Sequence, residues 1–252
     1  MRIIFLFISI LLFAQDSFAY TFVKESVGTT RAEYFSIPHD DSYRVIVSAS
    51  NTGTSLRALI ETVGGVAGIN GAYFIPRDYT KLPDTTNTVR IIRYDGFSYS
   101  KYFPDTGPNA IFGFLHDGTP ILAQNNIWWE KTLRQNYHSG MLLDIEYGIA
   151  NFPILLFGAR DILSLYEHTT LITEKMRTKS SKTFICRTEK NDIKMWILKN
   201  ISLMNVPSVL LSLGCIDAIN LDNGGSLAIY DKQKYIYGPG RNIMDGFVIV
   251  KK

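Results

Sequence analysis

Short strand-like segments bounded by turn residues are the feature that most restricts how this chain can fold. Apolar or alternating runs of about four to eight residues predict β-strands, and they occur at 43–48, 66–69, 110–115, 121–123, 154–157, 182–188, 194–198, 218–221, 227–230 and 243–250. Helix signals are fewer. Thr54 or Ser55 can begin a helix that ends at Gly64, and Asn205 can begin another with Pro207 in its first turn. The pattern predicts a single α+β domain with a mixed-sheet core and a few flanking helices.

The first 19 residues have the layout of a secretory signal. Met1 and Arg2 give a positive start, residues 3–13 are almost all apolar, and small residues follow at 17 and 19. The apolar run is shorter than the roughly 20 residues that span a bilayer. We expect a signal peptide at 1–19, a functional domain at 20–252 and a periplasmic or secreted location, without a stable transmembrane segment after cleavage. A retained anchor or a buried first element are the alternatives.

The composition and the motifs of the chain argue against several classes of function. The net charge of +3 is small and scattered, which does not favour nucleic-acid binding. The four histidines lack partners at ligand spacing, and no zinc spacing is present, so we expect neither a metal nor another cofactor. Neither a Gly-x-Ser-x-Gly elbow nor a His-Glu-x-x-His motif occurs, which leaves serine-hydrolase and zincin chemistry without support.

The two cysteines, Cys186 and Cys215, permit two interpretations. An exported protein meets oxidising conditions, in which a disulfide between them would be stable. Both positions suit a buried free thiol equally well. The sequence leaves the choice open.

One run near the C-terminus combines a carboxylate with a glycine turn. The strand before it delivers Asn220 and Asp222 to one face, because strand side chains alternate. Gly224 and Gly225 can then adopt positive φ, so that their N–H groups and that of Ser226 form a concave anion site. Asp222 would be an acid, base or nucleophile beside it. An ordinary hairpin turn is the alternative.

A second run has a similar layout near the N-terminus. A buried strand ends in Asn70 and Gly71, and Tyr73 and Phe74 follow, whose rings could stack on a sugar. Alone, this run is better explained as a turn followed by core aromatic residues.

Together the two runs resemble the signature motifs of the phosphodiester glycosidase family. They read Gly-Ile-Asn-Gly-Ala-Tyr-Phe at 68–74 and Ala-Ile-Asn-Leu-Asp-Asn-Gly-Gly-Ser at 218–226. The resemblance covers most of the chain after residue 19. Residues 151–156 are similar to the family's central Pro-Leu-Leu segment, and Gly238-Pro-Gly-Arg241 precedes the last strand as in many bacterial members. The resemblance implies a hydrolase whose substrate is a sugar-1-phosphodiester.

The resemblance also implies roles for individual residues. It implies catalytic roles for Asp222, Asn70 and Lys182, and substrate binding by Asn220, Asn223, Gly224, Gly225, Ser226, Tyr73, Arg177 and Arg241. Two positions depart from the family. Asn223 stands where the family usually has glycine, and the turn should survive this change because asparagine tolerates left-handed φ. Lys182 stands where it has arginine and lacks the planar fork for phosphate; Arg177-Thr178 is an alternative match.

The same cleft could instead serve a protein that binds a glycan or cell-envelope polymer without turnover, and a structural envelope protein is a third option.

A geometric expectation accompanies the catalytic interpretation. If the strands before Asn70 and Asn220 lie side by side in one sheet, their polar ends meet at one edge. Asn70 and Asp222 should then line one pocket, with Lys182 or Arg177 pointing into it and Arg241 nearby.

Overall fold

The structure is a computed structural model, and it describes residues 20–73, 92–94, 97–98, 110–124, 145–170 and 172–252. The expected signal peptide at 1–19 and Phe74 lie outside these residues. In chain order the described strands are β1 (Thr21–Val27), β2 (Thr30–Ile37), β3 (Tyr43–Thr54), β4 (Ala67–Asn70), β5 (Ile92–Tyr94), β6 (Phe97–Ser98), β7 (Ala110–Leu115), β8 (Pro120–Gln124), β9 (Ile145–Asn151), β10 (Ile154–Phe157), β11 (Arg160–Asp161), β12 (Ser180–Thr188), β13 (Ile193–Ile201), β14 (Cys215–Asn220), β15 (Ile229–Asp231), β16 (Lys234–Tyr237) and β17 (Ile243–Lys251).

These strands form three sheets. The seven-stranded sheet has the order β1-β2-β13-β12-β14-β10-β11, one five-stranded sheet has the order β16-β15-β4-β17-β3, and the other has the order β6-β5-β9-β7-β8. The strands expected at 43–48, 110–115, 154–157, 182–188 and 243–250 are all present, several of them longer than expected.

The described helices are short: α1 (Leu56–Thr62), α2 (Glu174–Arg177) and α3 (Val206–Ser212). Short 3-10 turns lie at Leu163–Tyr166, Leu203–Asn205 and Gly224–Ser226. Ser55 caps α1 as predicted, because its side chain accepts a hydrogen bond from the Ala58 N–H. Asn205 is the N-cap residue of α3 and Pro207 lies in the first turn, as predicted, but the Asn205 side chain makes no capping bond. The preceding 3-10 turn, capped by Ser202, leads directly into α3.

The expected fold class needs correction. The single domain is mostly β-sheet with few helices, rather than a clear α+β fold. The expected mixed sheet is not seen either, because every strand pair among the described residues is antiparallel. The position of β12 partly explains why β13 and β14 do not form a parallel pair. Although α3 connects β13 to β14, β12 lies between these two strands and runs opposite to both.

The seven-stranded sheet is covered by apolar side chains on both faces. One core cluster joins its inner face to the other two sheets and includes Ile185 and Ile219. The second cluster covers the opposite face beneath α2 and α3 and includes Phe184 and Ala218. Alternation along β14 therefore places Asn220, two residues after Ala218, on the second face.

The second cluster also contains both cysteines. Cys186 and Cys215 form a disulfide with an S–S distance of 2.02 Å, which decides between the two interpretations that the sequence allowed. The bond joins β12 to the start of β14, the strand that leads to Asp222.

Candidate active site

The ends of β4 and β14 meet, although the two strands belong to different sheets. The side-by-side arrangement considered from the sequence is therefore wrong, but the two segments that follow these strands are in direct contact. The Asp222 N–H donates to the Gly71 carbonyl at 2.8 Å, and Asn70 Nδ2 donates to the Asp222 carbonyl at 2.7 Å. The sheets share one core cluster, and their strand ends emerge at a common edge.

Asn70 is placed to hold the chain rather than to contact a substrate. Its side chain is buried, and its Oδ1 accepts a hydrogen bond from the Ala228 N–H at 3.0 Å while its Nδ2 binds Asp222. Both amide atoms are thus used by the backbone on either side of the glycine turn. The next residue, Gly71, must lack a side chain, because a Cβ there would lie 2.1 Å from Asp245 Oδ1. Asn70 positions the backbone of Asp222.

Asn223 makes a second set of buried bonds. Its Oδ1 accepts from the Thr183 N–H at 2.7 Å, and its Nδ2 donates to the Leu221 carbonyl at 3.0 Å and to Asn220 Oδ1 at 3.1 Å. Its backbone is extended (φ −118°), so left-handed tolerance is not needed there. The left-handed residue is Gly224 (φ +66°), and Gly225, also expected at positive φ, does not adopt it. Asparagine rather than glycine at 223 thus ties the turn to β12.

Asn220 and Asn151 complete this set of buried amides. Asn151 Nδ2 donates to the Asn220 carbonyl at 2.8 Å, while Asn220 Nδ2 donates to the Tyr73 hydroxyl at 2.6 Å and to the Phe152 carbonyl at 3.3 Å. We call Asn70, Asn151, Asn220 and Asn223 the amide framework. Its members link the two motif segments, β9 and β12 through buried hydrogen bonds.

The Asp222 carboxylate lies at the edge of the amide framework. It is buried, its Oδ1 accepts from the Asn223 N–H at 2.8 Å, and its Oδ2 accepts from Arg241 Nη2 at 3.1 Å. Arg241 Nε also donates to Ser226 Oγ at 2.8 Å. Burial raises the pKa of the Asp222 carboxyl, and hydrogen bonding to Ser226 and the charge of Arg241 oppose the rise without cancelling it. Such a carboxyl is suited to exchange a proton during a reaction.

The glycine turn presents open backbone donors next to this carboxyl. Gly224 and Gly225 are exposed. Within the part of the chain that the structure describes, the N–H groups of Gly224 and Gly225 donate to no protein acceptor, whereas Ser226 is buried at the end of the 3-10 turn. Two consecutive free N–H groups at a turn form a site for an anion.

Lys175 lies beside these donors, and Lys182 contacts the Lys175 backbone. Lys182 is only 3% exposed, and its Nζ donates to the Lys175 carbonyl at 3.3 Å. Lys175 Nζ lies 3.9 Å from the position that a Cβ of Gly224 would occupy. Among the described residues, no carboxylate forms an ion pair with either lysine. Burial, and then the charge of Lys175, lowers the pKa of Lys182. We call Lys175, Lys182 and the two free N–H groups of Gly224 and Gly225 the anion rim.

Lys175 was not among the residues singled out in the sequence. It is an exposed lysine on a helix of one turn, and no local pattern distinguishes it from other surface lysines. Arg177, the alternative to Lys182, is placed differently. Its guanidinium donates to the carbonyl of Glu167, and none of the hydrogen bonds of the described residues joins it to Asp222.

Tyr73 enters the site with its hydroxyl. Its ring packs against Phe152 with centroids 5.5 Å apart and borders the second core cluster. The hydroxyl accepts hydrogen bonds from Asn220 and Asn223. The sugar stacking expected from the sequence is therefore less suited to this ring than polar contact through the oxygen.

No group of three or more His, Cys, Asp or Glu side chains in the described residues could hold a metal ion. No helix in the same residues is long and apolar enough to cross a membrane.

Comparison with known proteins gives the same assignment as the two motifs. The sequence profile of the family described as phosphodiester glycosidase matches residues 64–250. No curated protein sequence matches significantly. Among solved structures, the chain is similar to the catalytic domain of the zebrafish N-acetylglucosamine-1-phosphodiester alpha-N-acetylglucosaminidase, which is auto-inhibited by its pro-peptide. The TM-score is 0.65 and the sequence identity is 16%, and the match covers 93% of this chain and 82% of that one. It is also similar to a hypothetical protein from Synechocystis, with TM-score 0.61, 12% identity, and coverage of 92% of this chain and 61% of that one. Because the profile spans most of the sequence, this chain belongs to the phosphodiester glycosidase family.

Proposed function

We propose that this protein hydrolyses a sugar-1-phosphodiester in the cell envelope or outside the cell. The observation that carries the proposal is the anion rim next to a buried carboxyl. The free N–H groups of Gly224 and Gly225 follow Asp222 in the chain, Lys175 lies beside Gly224, and Lys182 binds the Lys175 carbonyl; neither lysine has a carboxylate partner in the described residues. Family membership supports the reaction class, because the family acts on sugar phosphodiesters.

The anion rim would bind the phosphodiester. The N–H groups of Gly224 and Gly225 can donate to its non-bridging oxygens. Lys175 supplies positive charge close to Gly224, and Lys182 adds a second charge beside the Lys175 backbone. Donors fixed before the substrate arrives stabilise negative charge as the ester breaks, without having to reorganise. Burying a lysine without a counter-ion is costly, and a bound anion would offset that cost.

Asp222 would act on the bond that breaks. Its raised pKa suits it to give or take a proton, and Arg241 fixes the orientation of its carboxylate. Asn70, Asn220 and Asn223 would act indirectly, since their amide atoms are occupied by the protein and serve to hold Asp222 and the glycine turn.

The location outside the cytoplasm rests on the leader-like pattern of residues 1–19. Amino-terminal sequencing of protein recovered from the periplasm or medium tests it. A mature chain beginning at Tyr20 is expected, and an intact Met1 in the cytoplasm would contradict it.

The test of the activity uses wild-type protein and Asp222→Asn on a panel of sugar-1-phosphodiesters. We expect product from the wild type and a loss of about 10²–10⁴-fold in kcat for the variant, which is the usual contribution of a general acid or base. Reaction in ¹⁸O-labelled water shows whether the C–O or the P–O bond is cut, from the isotope in sugar or phosphate. Asp41→Asn, at a fully exposed carboxylate, is the matched control and should retain activity.

A binding protein without turnover is the second candidate. Its favouring observation is that Arg241 and the Asn223 N–H already engage the Asp222 carboxylate. A saturable rise in melting temperature with sugar phosphates, without product after long incubation, would establish that function and refute hydrolysis. Full activity in Asp222→Asn would refute the role of Asp222.

A further inference from the structure

The hydroxyl of Tyr73 has a fixed direction of hydrogen bonding, because two asparagine side chains donate to it. We propose that Tyr73 donates its phenolic proton to an anionic phosphoryl oxygen of the bound substrate. This inference rests on the proposed function and adds one specific contact to it. It depends on which amide atoms face the phenol oxygen.

Backbone groups determine those atoms. The Asn220 amide atom at 2.6 Å from the Tyr73 oxygen is also 3.3 Å from the Phe152 carbonyl, which can only accept, so that atom is the nitrogen. For Asn223, the Thr183 N–H requires an oxygen at 2.7 Å. The other Asn223 amide atom, 3.3 Å from the Tyr73 oxygen, is therefore also a nitrogen.

Two N–H donors therefore point at the phenol oxygen. Both lone pairs of that oxygen accept, and its own proton cannot go to either amide nitrogen. In the described residues no other acceptor binds the Tyr73 hydroxyl. Burial raises the pKa of Tyr73 to about 12, so the phenol keeps its proton at neutral pH. Tyr73 is thus a donor held in place by two asparagines.

The position of the donor favours a phosphoryl oxygen as its acceptor. Asn223, which holds the phenol, immediately precedes Gly224, where the free N–H groups of the anion rim begin. A phosphoryl oxygen only accepts hydrogen bonds and carries negative charge, so it suits a donor-only group better than a sugar hydroxyl does. The raised pKa of Tyr73 reflects in part the charge of nearby Asp222, so the donor also lies near the reacting carboxyl.

The experiment measures binding of inorganic phosphate by calorimetry to wild type, Tyr73→Phe and Tyr43→Phe. Tyr43 is partly buried on β3 and is the matched control. Removing a hydrogen bond to a charged group should weaken phosphate binding by about tenfold to a hundredfold in Tyr73→Phe, and Tyr43→Phe should bind like wild type. Unchanged affinity in Tyr73→Phe, or no binding by the wild type, would overturn the proposal.

A second arm covers the case in which Tyr73→Phe does not fold. Placing 3-fluorotyrosine at position 73 preserves the hydroxyl and the bonds from Asn220 and Asn223, but makes the phenol a stronger donor. Phosphate should bind severalfold more tightly, and unchanged affinity would contradict donation.

Neither arm needs turnover. Wild type that binds phosphate through Tyr73 but hydrolyses no substrate would refute the proposed hydrolysis alone, and unchanged phosphate binding in an active enzyme would refute the role of Tyr73 alone.

Discussion

The amide framework and the anion rim lie side by side but use their polar groups in opposite ways. In the amide framework, Asn70, Asn220 and Asn223 have donors and acceptors engaged with the protein, mostly with backbone groups. In the anion rim, the N–H groups of the glycine turn have no protein acceptor among the described residues, and Lys182 has a single carbonyl.

The difference separates residues that build the site from residues that meet a ligand. Buried polar groups are normally satisfied, and those of the amide framework follow this rule. Polar groups without a protein partner at the edge of a satisfied network are available to a ligand, and an anion would satisfy these donors. Substitutions in the two regions should therefore have different consequences, for stability in the first and for binding in the second.

The largest effect is expected for Asn70→Ala. The change leaves the Asp222 carbonyl and the Ala228 N–H without partners in a buried place. Each unsatisfied group costs about 1–3 kcal/mol, so the free energy of unfolding should fall by about 2–5 kcal/mol. Chemical denaturation monitored by fluorescence measures the change.

Asn205→Ala is the matched control for this experiment. Asn205 is exposed, and its side chain makes no capping bond to α3, so its replacement should change stability by less than about 0.5 kcal/mol. Equal destabilisation by the two variants would show that Asn70 has no special structural role.

A smaller effect on stability is expected for Lys182→Met, together with weaker phosphate binding. The pKa of Lys182 in the folded protein lies below its ordinary value of 10.5. At pH values between these two, the unfolded chain binds more protons than the folded chain, so stability rises with pH. Methionine removes the buried charge. Stability at neutral pH should stay equal or increase, and the rise with pH should disappear, while phosphate binds about tenfold to a hundredfold more weakly.

Lys175→Gln sharpens this prediction. Lys175 is exposed, so its loss should barely change stability, but it removes the neighbouring charge that lowers the pKa of Lys182. Titration of Lys182 by NMR should give a higher pKa in this variant. A marked loss of stability in Lys182→Met, with unchanged phosphate binding, would assign Lys182 to the framework instead.

Local patterns were sufficient for much of the fold and for part of the site. Alternation and turn residues predicted strands such as β7 and β17, and Ser55 was predicted as a cap. The two motifs, through the family resemblance, led to the expectation that Asn70 and Asp222 lie together.

Other features depend on contacts distant in sequence. That β4 and β14 belong to separate sheets follows from pairing with β17 and β12, and no local signal specifies those partners. The disulfide was undecidable because both cysteines suit a buried thiol. Lys175 could not be found, because only the placement of α2 next to the glycine turn gives it a role.

The most direct test of an anion site beside Asp222 is a crystal structure of the protein soaked with phosphate. We expect the anion at the glycine turn, accepting hydrogen bonds from the N–H groups of Gly224 and Gly225 at about 2.7–3.2 Å, with Lys182 in contact and the Tyr73 hydroxyl directed at one oxygen. Phosphate bound elsewhere while this turn remains without it, or protein atoms found to occupy these N–H groups, would contradict the assignment of the site.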